Sequence, residues 1–437
     1  MSRLQELRER IQSREARIGV VGLGYVGLPL VVEFARAGFR VTGFELDAEK
    51  VRSLAEGRSY IEDVPSDDVA RFRASGHLSA TADFNELTRM DVINVCVPTP
   101  LTKTKDPDFS FIVRAVEDIQ RRLRSGQLII LGSTTYPGTT NELYVPILEQ
   151  TGLVCGRDFS VAFAPERIDP ANKTFKVRNV PKVVGGETPL CTELATQVFS
   201  AIFDTVVPVS SSQSAEMVKL LENTFRAINI GLANEVALMC DRLGIDVWEV
   251  IDAAATKPYG FMKFLPGPGL GGHCIPVDPA YLSWKMKSLN FSARFIELAT
   301  EINGHMPEYV VTRIGDLLNE ERLPVNGSGV LVLGVAYKPD VADMRESPAL
   351  DVIRELLQKG ARLSYHDPHV AELDLDGQTL KSVELTDAAL GEADMVVIIT
   401  NHSSIDYDRV VAKAQRIYDT RNATKGVRSG REKVRKL

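Results

Sequence analysis

Apolar residues recur in two alternating rhythms along the first half of the chain. Arg17-Ile18-Gly19-Val20-Val21-Gly22 is a short apolar run ending in glycine, the pattern of a buried strand. From Leu28 to Ala37 the apolar positions fall at helical spacing and stop at Gly38. Arg40 to Phe44 reads as a second strand and completes a β-α-β unit. The alternation continues with the run Asp91 to Val97, helical spacing near Phe111 to Arg124, and the strand Leu128 to Leu131. Met1 to Glu15 reads as a charged helical lead-in. Strands alternating with helices predict a parallel, doubly wound sheet.

The rhythm changes after Ser210. Ser212 to Leu243 is one long amphipathic segment without proline, and helical spacing resumes from Val247 to Ala255. A second α/β unit opens at Gly329-Val330-Leu331-Val332-Leu333-Gly334. A helix from Ala349 to Lys359 and the strands Arg362 to Tyr365 and Met395 to Thr400 continue it. The expected architecture is α/β: two Rossmann-like doubly wound domains, residues 1–210 and 326–437, joined by a helical core, 211–325, with a long central helix. Central helices of this kind often carry subunit contacts, so a homodimer or higher homo-oligomer is expected. The basic tail from Lys425 to Leu437 reads as a solvated, disordered end.

Composition narrows the function classes. A net charge of −7 over 437 residues gives no global basis for binding nucleic acid. No apolar run approaches the roughly 20 residues that span a bilayer, so no membrane association is expected. The charged N-terminus lacks the apolar stretch of a secretion signal. Five irregularly spaced cysteines make neither a disulfide framework nor a metal pattern, so no metal is expected and the cytoplasm is the expected setting.

Gly22-x-Gly24-x-x-Gly27 follows a strand and opens a helix. In that context Gly22 permits a tight turn, Gly24 lets the backbone approach a pyrophosphate, and Gly27 lets helix pack on strand. Glu45 ends the second strand, where a carboxylate takes ribose hydroxyls and repels a 2′-phosphate. NAD rather than NADP is the expected cofactor, with Lys50 as a further adenosine-side contact.

Cys274 lies in Gly267-Pro268-Gly269-Leu270-Gly271-Gly272-His273-Cys274-Ile275-Pro276-Val277-Asp278. Hydride transfer from an alcohol needs no thiol. A cysteine in a glycine-lined loop suits a second oxidation, in which an aldehyde is held covalently and leaves as an acid. The competing reading is a small buried hydrophobe. Lys219 and Asn223, one turn apart on the long helix, could bind an oxyanion or be a solvated surface pair. Asp278 could handle a proton or merely cap the following helix. Glu166 could be a base or half of a surface salt bridge. His273 adjoins Cys274, but neighbouring side chains usually point apart.

Several ordered motifs together resemble the UDP-glucose/GDP-mannose dehydrogenase family over nearly the whole chain. They are Gly22-Leu23-Gly24-Tyr25-Val26-Gly27-Leu28-Pro29, Cys96-Val97-Pro98-Thr99-Pro100, Ser133-Thr134-Thr135-Tyr136-Pro137-Gly138 and Ala164-Pro165-Glu166-Arg167-Ile168. The Lys219 and Asn223 helix, Gly271-Gly272-His273-Cys274 and Tyr337-Lys338-Pro339-Asp340 through Met344-Arg345-Glu346-Ser347 complete the set. The resemblance implies a four-electron oxidation of a UDP-sugar C6 alcohol to a carboxylate, using two NAD in turn. It implies that Cys274 carries a thiohemiacetal and then a thioester, that Lys219 and Asn223 steady oxyanions, and that Asp278 and Thr134 manage protons through water. Glu166 would serve the hydrolytic half. Gly22, Leu23, Gly24, Tyr25, Val26, Gly27, Glu45, Lys50, Pro98, Thr99, Thr134 and Arg345 would hold NAD. Glu166, Arg167, Lys219, Asn223, Tyr259, Phe264, Gly271, Lys338 and Arg345 would meet the sugar nucleotide.

Within that family the loop is most similar to UDP-N-acetylhexosamine 6-dehydrogenases. Val277 stands where UDP-glucose enzymes usually carry lysine, and Pro258-Tyr259-Gly260-Phe261-Met262 precedes the loop. Two departures are Ala171, where glycine is usual, and a missing arginine before the loop, for which Lys257 is the candidate replacement. The expectation is an enzyme of the UDP-N-acetylglucosamine type, with the N-acetylgalactosamine, N-acetylmannosamine and glucose forms as alternatives.

Overall fold

The computed structural model describes residues 3–102, 106–168 and 174–437. Ala171 therefore lies outside the described residues. The chain forms two compact units, Met1–Glu222 with Ala280–Asn290, and Asn223–Pro279 with Phe291–Leu437.

The first unit is built on an eight-stranded sheet. Its strands are β1 (Arg17–Val21), β2 (Arg40–Phe44), β3 (Leu78–Thr81), β4 (Val92–Val95), β5 (Leu128–Leu131), β6 (Ser160–Phe163), β7 (Lys182–Gly186) and β8 (Val206–Val209). They lie in the order β3-β2-β1-β4-β5-β6-β7-β8, parallel throughout except for the β6–β7 pair. β4, β5 and β6 are buried at every position, as strands must be when helices cover both faces of a sheet. One face packs Val31, Phe34 and Phe199 from helices Gly27–Arg36 and Pro189–Phe199. The other packs Ile112 and Val116 from helix Ser110–Gln120 against Ile93 and Ile129. Strand order reverses between β1 and β4, so the carboxyl ends of these strands flank a crevice of the kind that takes dinucleotides.

The long helix runs Ser212–Leu243, the bounds its unbroken amphipathic pattern predicts. In the second unit it meets helix Arg294–Glu320, which the sequence reading did not anticipate. Gly231 admits that partner closely, since a Cβ there would stand 3.3 Å from Ala299. The second sheet joins β9 (Gly329–Leu333), β10 (Arg362–His366), β13 (Met395–Ile398), β14 (Ile417–Asp419) and β15 (Val434–Lys436), all parallel, in the order β10-β9-β13-β14-β15. β11 (Glu372–Leu375) and β12 (Gln378–Lys381) form a hairpin turned at Asp376-Gly377, both at positive φ.

The basic tail is not a disordered end. It forms β15, Trp248 Nε1 donates to the Leu437 carbonyl at 2.9 Å, and Lys436 pairs with Asp246. Lys425 pairs with Asp252 at 2.6 Å. Lys425 and Lys436 thus have acidic partners distant in sequence, which local composition does not reveal.

Candidate active site

In the first unit, Gly22 turns the chain after β1 at φ +87°, and a Cβ there would stand 2.6 Å from the Cys96 carbonyl oxygen. A Cβ on Gly27 would run into the Gly22 carbonyl, while at Gly24 it would meet nothing within 4 Å. The turn is thus tight on its inner side and open at Gly24, where a pyrophosphate needs to approach the start of helix Gly27–Arg36. Glu45 Oε2 accepts from the Leu23 N–H at 3.1 Å and Oε1 from the Leu46 N–H at 2.9 Å. Lys50 Nζ lies 3.7 Å from the same carboxylate and 5.8 Å from the Tyr60 ring centroid. Tyr60 Oη donates to the Leu23 carbonyl at 2.7 Å, so the turn and the acid are locked together. Thr99 is buried beyond β4, and Thr134 is half-buried beyond β5. These residues fit NAD: an open glycine turn for phosphates and a fixed carboxylate for ribose.

Glu166 follows β6. Its carboxylate accepts from Lys182 Nζ at 3.2 Å and from the Arg167 and Ile168 N–H groups at 2.8 and 2.9 Å. Burial alone would push this carboxyl up, but the Lys182 ammonium and the backbone donors hold it below its ordinary value. Lys182 is itself buried, so the pair is not a surface salt bridge. Arg167 is tied to Glu222 and donates to the Pro181 carbonyl at 2.6 Å. On the long helix Lys219 is 8% and Asn223 6% exposed, which rules out a solvated surface pair.

In the second unit the Gly267 N–H donates to Asn234 Oδ1 at 2.8 Å, and Asn234 Nδ2 donates to Asn303 Oδ1 at 2.8 Å. A Cβ on Gly271 would stand 2.8 Å from Tyr337 Cβ, and one on Gly272 would stand 2.8 Å from the Tyr337 ring. The Gly272 N–H donates to the Arg345 carbonyl at 3.0 Å. Glycine is thus required where the cysteine loop lies flat on Tyr337. Cys274 is half-buried, and its carbonyl accepts from the Asp278 N–H at 2.8 Å in the turn that starts helix Asp278–Ser288. Asp278 is more than a cap, because its Oδ2 accepts from Asn223 Nδ2 at 2.5 Å and the residue is buried. Cys96, by contrast, has its thiol pushed up to about 12 by burial and is unsuited to nucleophilic work.

Residues 16–203 match the UDP-glucose/GDP-mannose dehydrogenase family NAD binding domain, 213–305 its central domain and 331–426 its UDP binding domain. The chain belongs to this family. It is 38% identical over 363 residues to a UDP-N-acetyl-D-glucosamine 6-dehydrogenase of Pseudomonas aeruginosa, covering 83% of this chain and 85% of that one. It is 33% identical to an NDP-N-acetyl-D-galactosaminuronic acid dehydrogenase of Ralstonia solanacearum, covering 92% and 95%. Among solved structures, a UDP-D-ManNAc dehydrogenase from Pyrococcus horikoshii superposes with a TM-score of 0.87 at 31% identity, covering 96% of this chain and 99% of that one. The chain is an NAD-dependent UDP-sugar dehydrogenase. Among the described residues, no helix is long and apolar enough to cross a membrane.

Arg421, beside the cysteine loop, is not among the residues that the sequence motifs single out. Arg421 follows β14, its Nε donates to the Ile399 carbonyl at 2.9 Å, and a Cβ on Gly267 would collide with its guanidinium. Burial pushes it down to about 10, and Asp419 opposes that shift. A half-buried guanidinium beside the cysteine loop suits a phosphate. The available signal was a lone arginine just past an apolar strand in the second α/β unit. Elsewhere, Arg345 is bonded to Asp343 at 2.6 Å, and Lys338 Nζ lies 5.6 Å from the Tyr337 ring centroid. Tyr259 is exposed with Lys257 Nζ 5.0 Å from its ring centroid, and Phe264 packs edge-on to Phe225 at 5.7 Å.

Proposed function

We propose that this dehydrogenase oxidises the C6 alcohol of UDP-N-acetylglucosamine to the carboxylate, giving UDP-N-acetylglucosaminuronate for surface polysaccharide precursors. The observation that carries the reaction is Cys274 one turn from Asp278, whose carboxylate is bonded to the buried Asn223. NAD, when bound, supplies a hydride acceptor, and two are used in turn for the four electrons.

The chain's own residues do the rest. The Cys274 thiolate adds to the C6 aldehyde, forming a C–S bond and an oxyanion that Asn223 and Lys219 stabilise. Loss of the second hydride leaves a thioester. Water then adds, the C–S bond breaks, the thiolate leaves and the acid is released. Asp278 and Thr134 move protons through water, and Glu166 orients the hydrolytic water. Lys338, Arg345 and Arg421 meet the nucleotide and its phosphates.

The sugar assignment draws support from the 38% identical relative and from Val277 in the loop. We place the enzyme in the cytoplasm as a homo-oligomer. Phe225, Leu232, Met239 and Leu243 form an exposed apolar row on the long helix, suited to a second copy. Steady-state assays on the N-acetylglucosamine, N-acetylgalactosamine, N-acetylmannosamine and glucose forms of the substrate test the sugar. The first should show the highest kcat/KM. A higher value for any other overturns the sugar assignment and leaves the reaction standing.

A further inference from the structure

His402 is fully buried just past β13, between two groups that fix its protonation. Its Nε2 lies 3.0 Å from Asp367 Oδ2, and its Nδ1 lies 3.0 Å from the Asp340 backbone nitrogen. Asp367 also accepts from the N–H groups of Val335, Ala336, His369 and Val370 at 2.7 to 3.1 Å. Burial would push its carboxyl up, but His402 and these donors hold it below its ordinary value, so it is an acceptor. A backbone N–H can only donate. His402 therefore donates from Nε2 and accepts on Nδ1. Asp340, His369 and His402 place ligand-type atoms within 4.8 Å of one another. The Nδ1 lone pair is already engaged by the Asp340 N–H, which disfavours a metal there.

The Asp340 end of this chain of bonds leads to the active site. Asp340 sits at φ +62°, two residues after Lys338, and its Oδ1 accepts from the Ser403 N–H at 2.8 Å. The same loop is held by Thr400, whose Oγ1 donates to the Ala336 carbonyl at 2.6 Å, and by the Tyr337 N–H donating to the Asp343 carbonyl at 2.9 Å. Tyr337 is the residue against which Gly271 and Gly272 lie, just ahead of Cys274. A half-exposed loop with an uncommon backbone conformation thus has a buried imidazole among its anchors.

We propose that His402 is a positioning residue: by joining Asp367 to the Asp340 N–H it sets the Tyr337–Asp340 loop, and with it both the Lys338 contact to the nucleotide and the seat of the Cys274 loop. This rests on the reading of Lys338 as a nucleotide contact.

Two substitutions separate the two bonds. In His402→Asn the amide oxygen occupies the Nδ1 position and can still accept from Asp340. In His402→Gln the amide reaches Asp367, but the Asp340 N–H loses its acceptor. Calorimetry with UDP as the probe should show the dissociation constant rising about tenfold in His402→Gln, the worth of one hydrogen bond, and much less in His402→Asn. NAD affinity should be unchanged in both. Equal UDP affinity in the two variants, or weakening that tracks loss of Tm in both, overturns the proposal. Lys338→Ala is the control. If it leaves UDP affinity intact, the reading of the loop fails; if it weakens UDP while His402→Gln does not, only the role of His402 fails. Should His402→Gln not fold, hydrogen exchange in the unaltered protein decides. The Asp340 amide should exchange at least tenfold more slowly than that of Val341, and equal rates contradict the proposal.

Discussion

Asn223 and Asp278, 55 residues apart in sequence, meet at 2.5 Å with both side chains buried. The long helix supplies the amide, and the turn after Cys274 supplies the carboxylate. A buried amide and carboxylate in contact satisfy each other, and either one alone would be left without its partner. The pair thereby couples the orientation of the Asn223 amide to the turn that follows Cys274.

Asp278→Ala should therefore cost both activity and stability. We expect kcat to fall at least a hundredfold, because the Asn223 amide loses its anchor. Unfolding free energy should drop by about 1–3 kcal/mol, the cost of a buried polar group left unpaired. Single-turnover kinetics and denaturant melts measure the two. An unchanged kcat would show that Asp278 only starts the helix.

Glu45 offers a test of cofactor choice. Its carboxylate is fixed by the Leu23 and Leu46 N–H groups at the end of β2. Glu45→Ala should raise the NAD KM by about tenfold and narrow the preference for NAD over NADP, since a ribose partner and a repelling charge are both removed. An unaltered NAD to NADP ratio would remove Glu45 from the site.

Glu216 gives a pH-dependent prediction. It is buried on the long helix and accepts from the Gly138 and Thr140 N–H groups and from Thr140 Oγ1. Burial pushes its carboxyl up to about 7, despite those donors. A folded-state value above the unfolded one means that the folded state holds the proton more tightly. The contribution is complete below about pH 4.5 and is lost as pH rises through about 7. The Tm of the unaltered protein relative to Glu216→Gln should decline between pH 5 and pH 8. Parallel curves would show that Glu216 does not titrate there.

The tail is predicted to be part of the folded unit. Removing residues 434–437 deletes β15, the acceptor of Trp248 Nε1 and the Lys436–Asp246 pair. Stability should fall by about 2–4 kcal/mol from lost packing and an orphaned indole N–H. An unchanged Tm would mean that the tail only rests on the surface.

Much of this was legible in the sequence because it is local. β5 and the long helix fall at the bounds their apolar patterns predict, and Gly22, Gly24 and Gly27 announce the turn that they make. Other features depend on contacts distant in sequence. Arg421 comes beside the cysteine loop only through Gly267, and the tail is tied down through Asp246, Asp252 and Trp248. Helix Arg294–Glu320 contains Pro307, a residue that reads as a helix breaker yet is buried within the helix here. Burial separated the readings that spacing left open for Lys219, Asn223 and Glu166: side chains that could have faced water do not.

The central claim is that Cys274 carries the sugar as a thioester between two oxidations. Its most direct test counts NADH formed per UDP-N-acetylglucosamine consumed, in the unaltered enzyme and in Cys274→Ala. Two NADH and one UDP-uronate per sugar are expected in the first, and no UDP-uronate in the second. Two NADH per sugar at the unaltered rate in Cys274→Ala would contradict the claim.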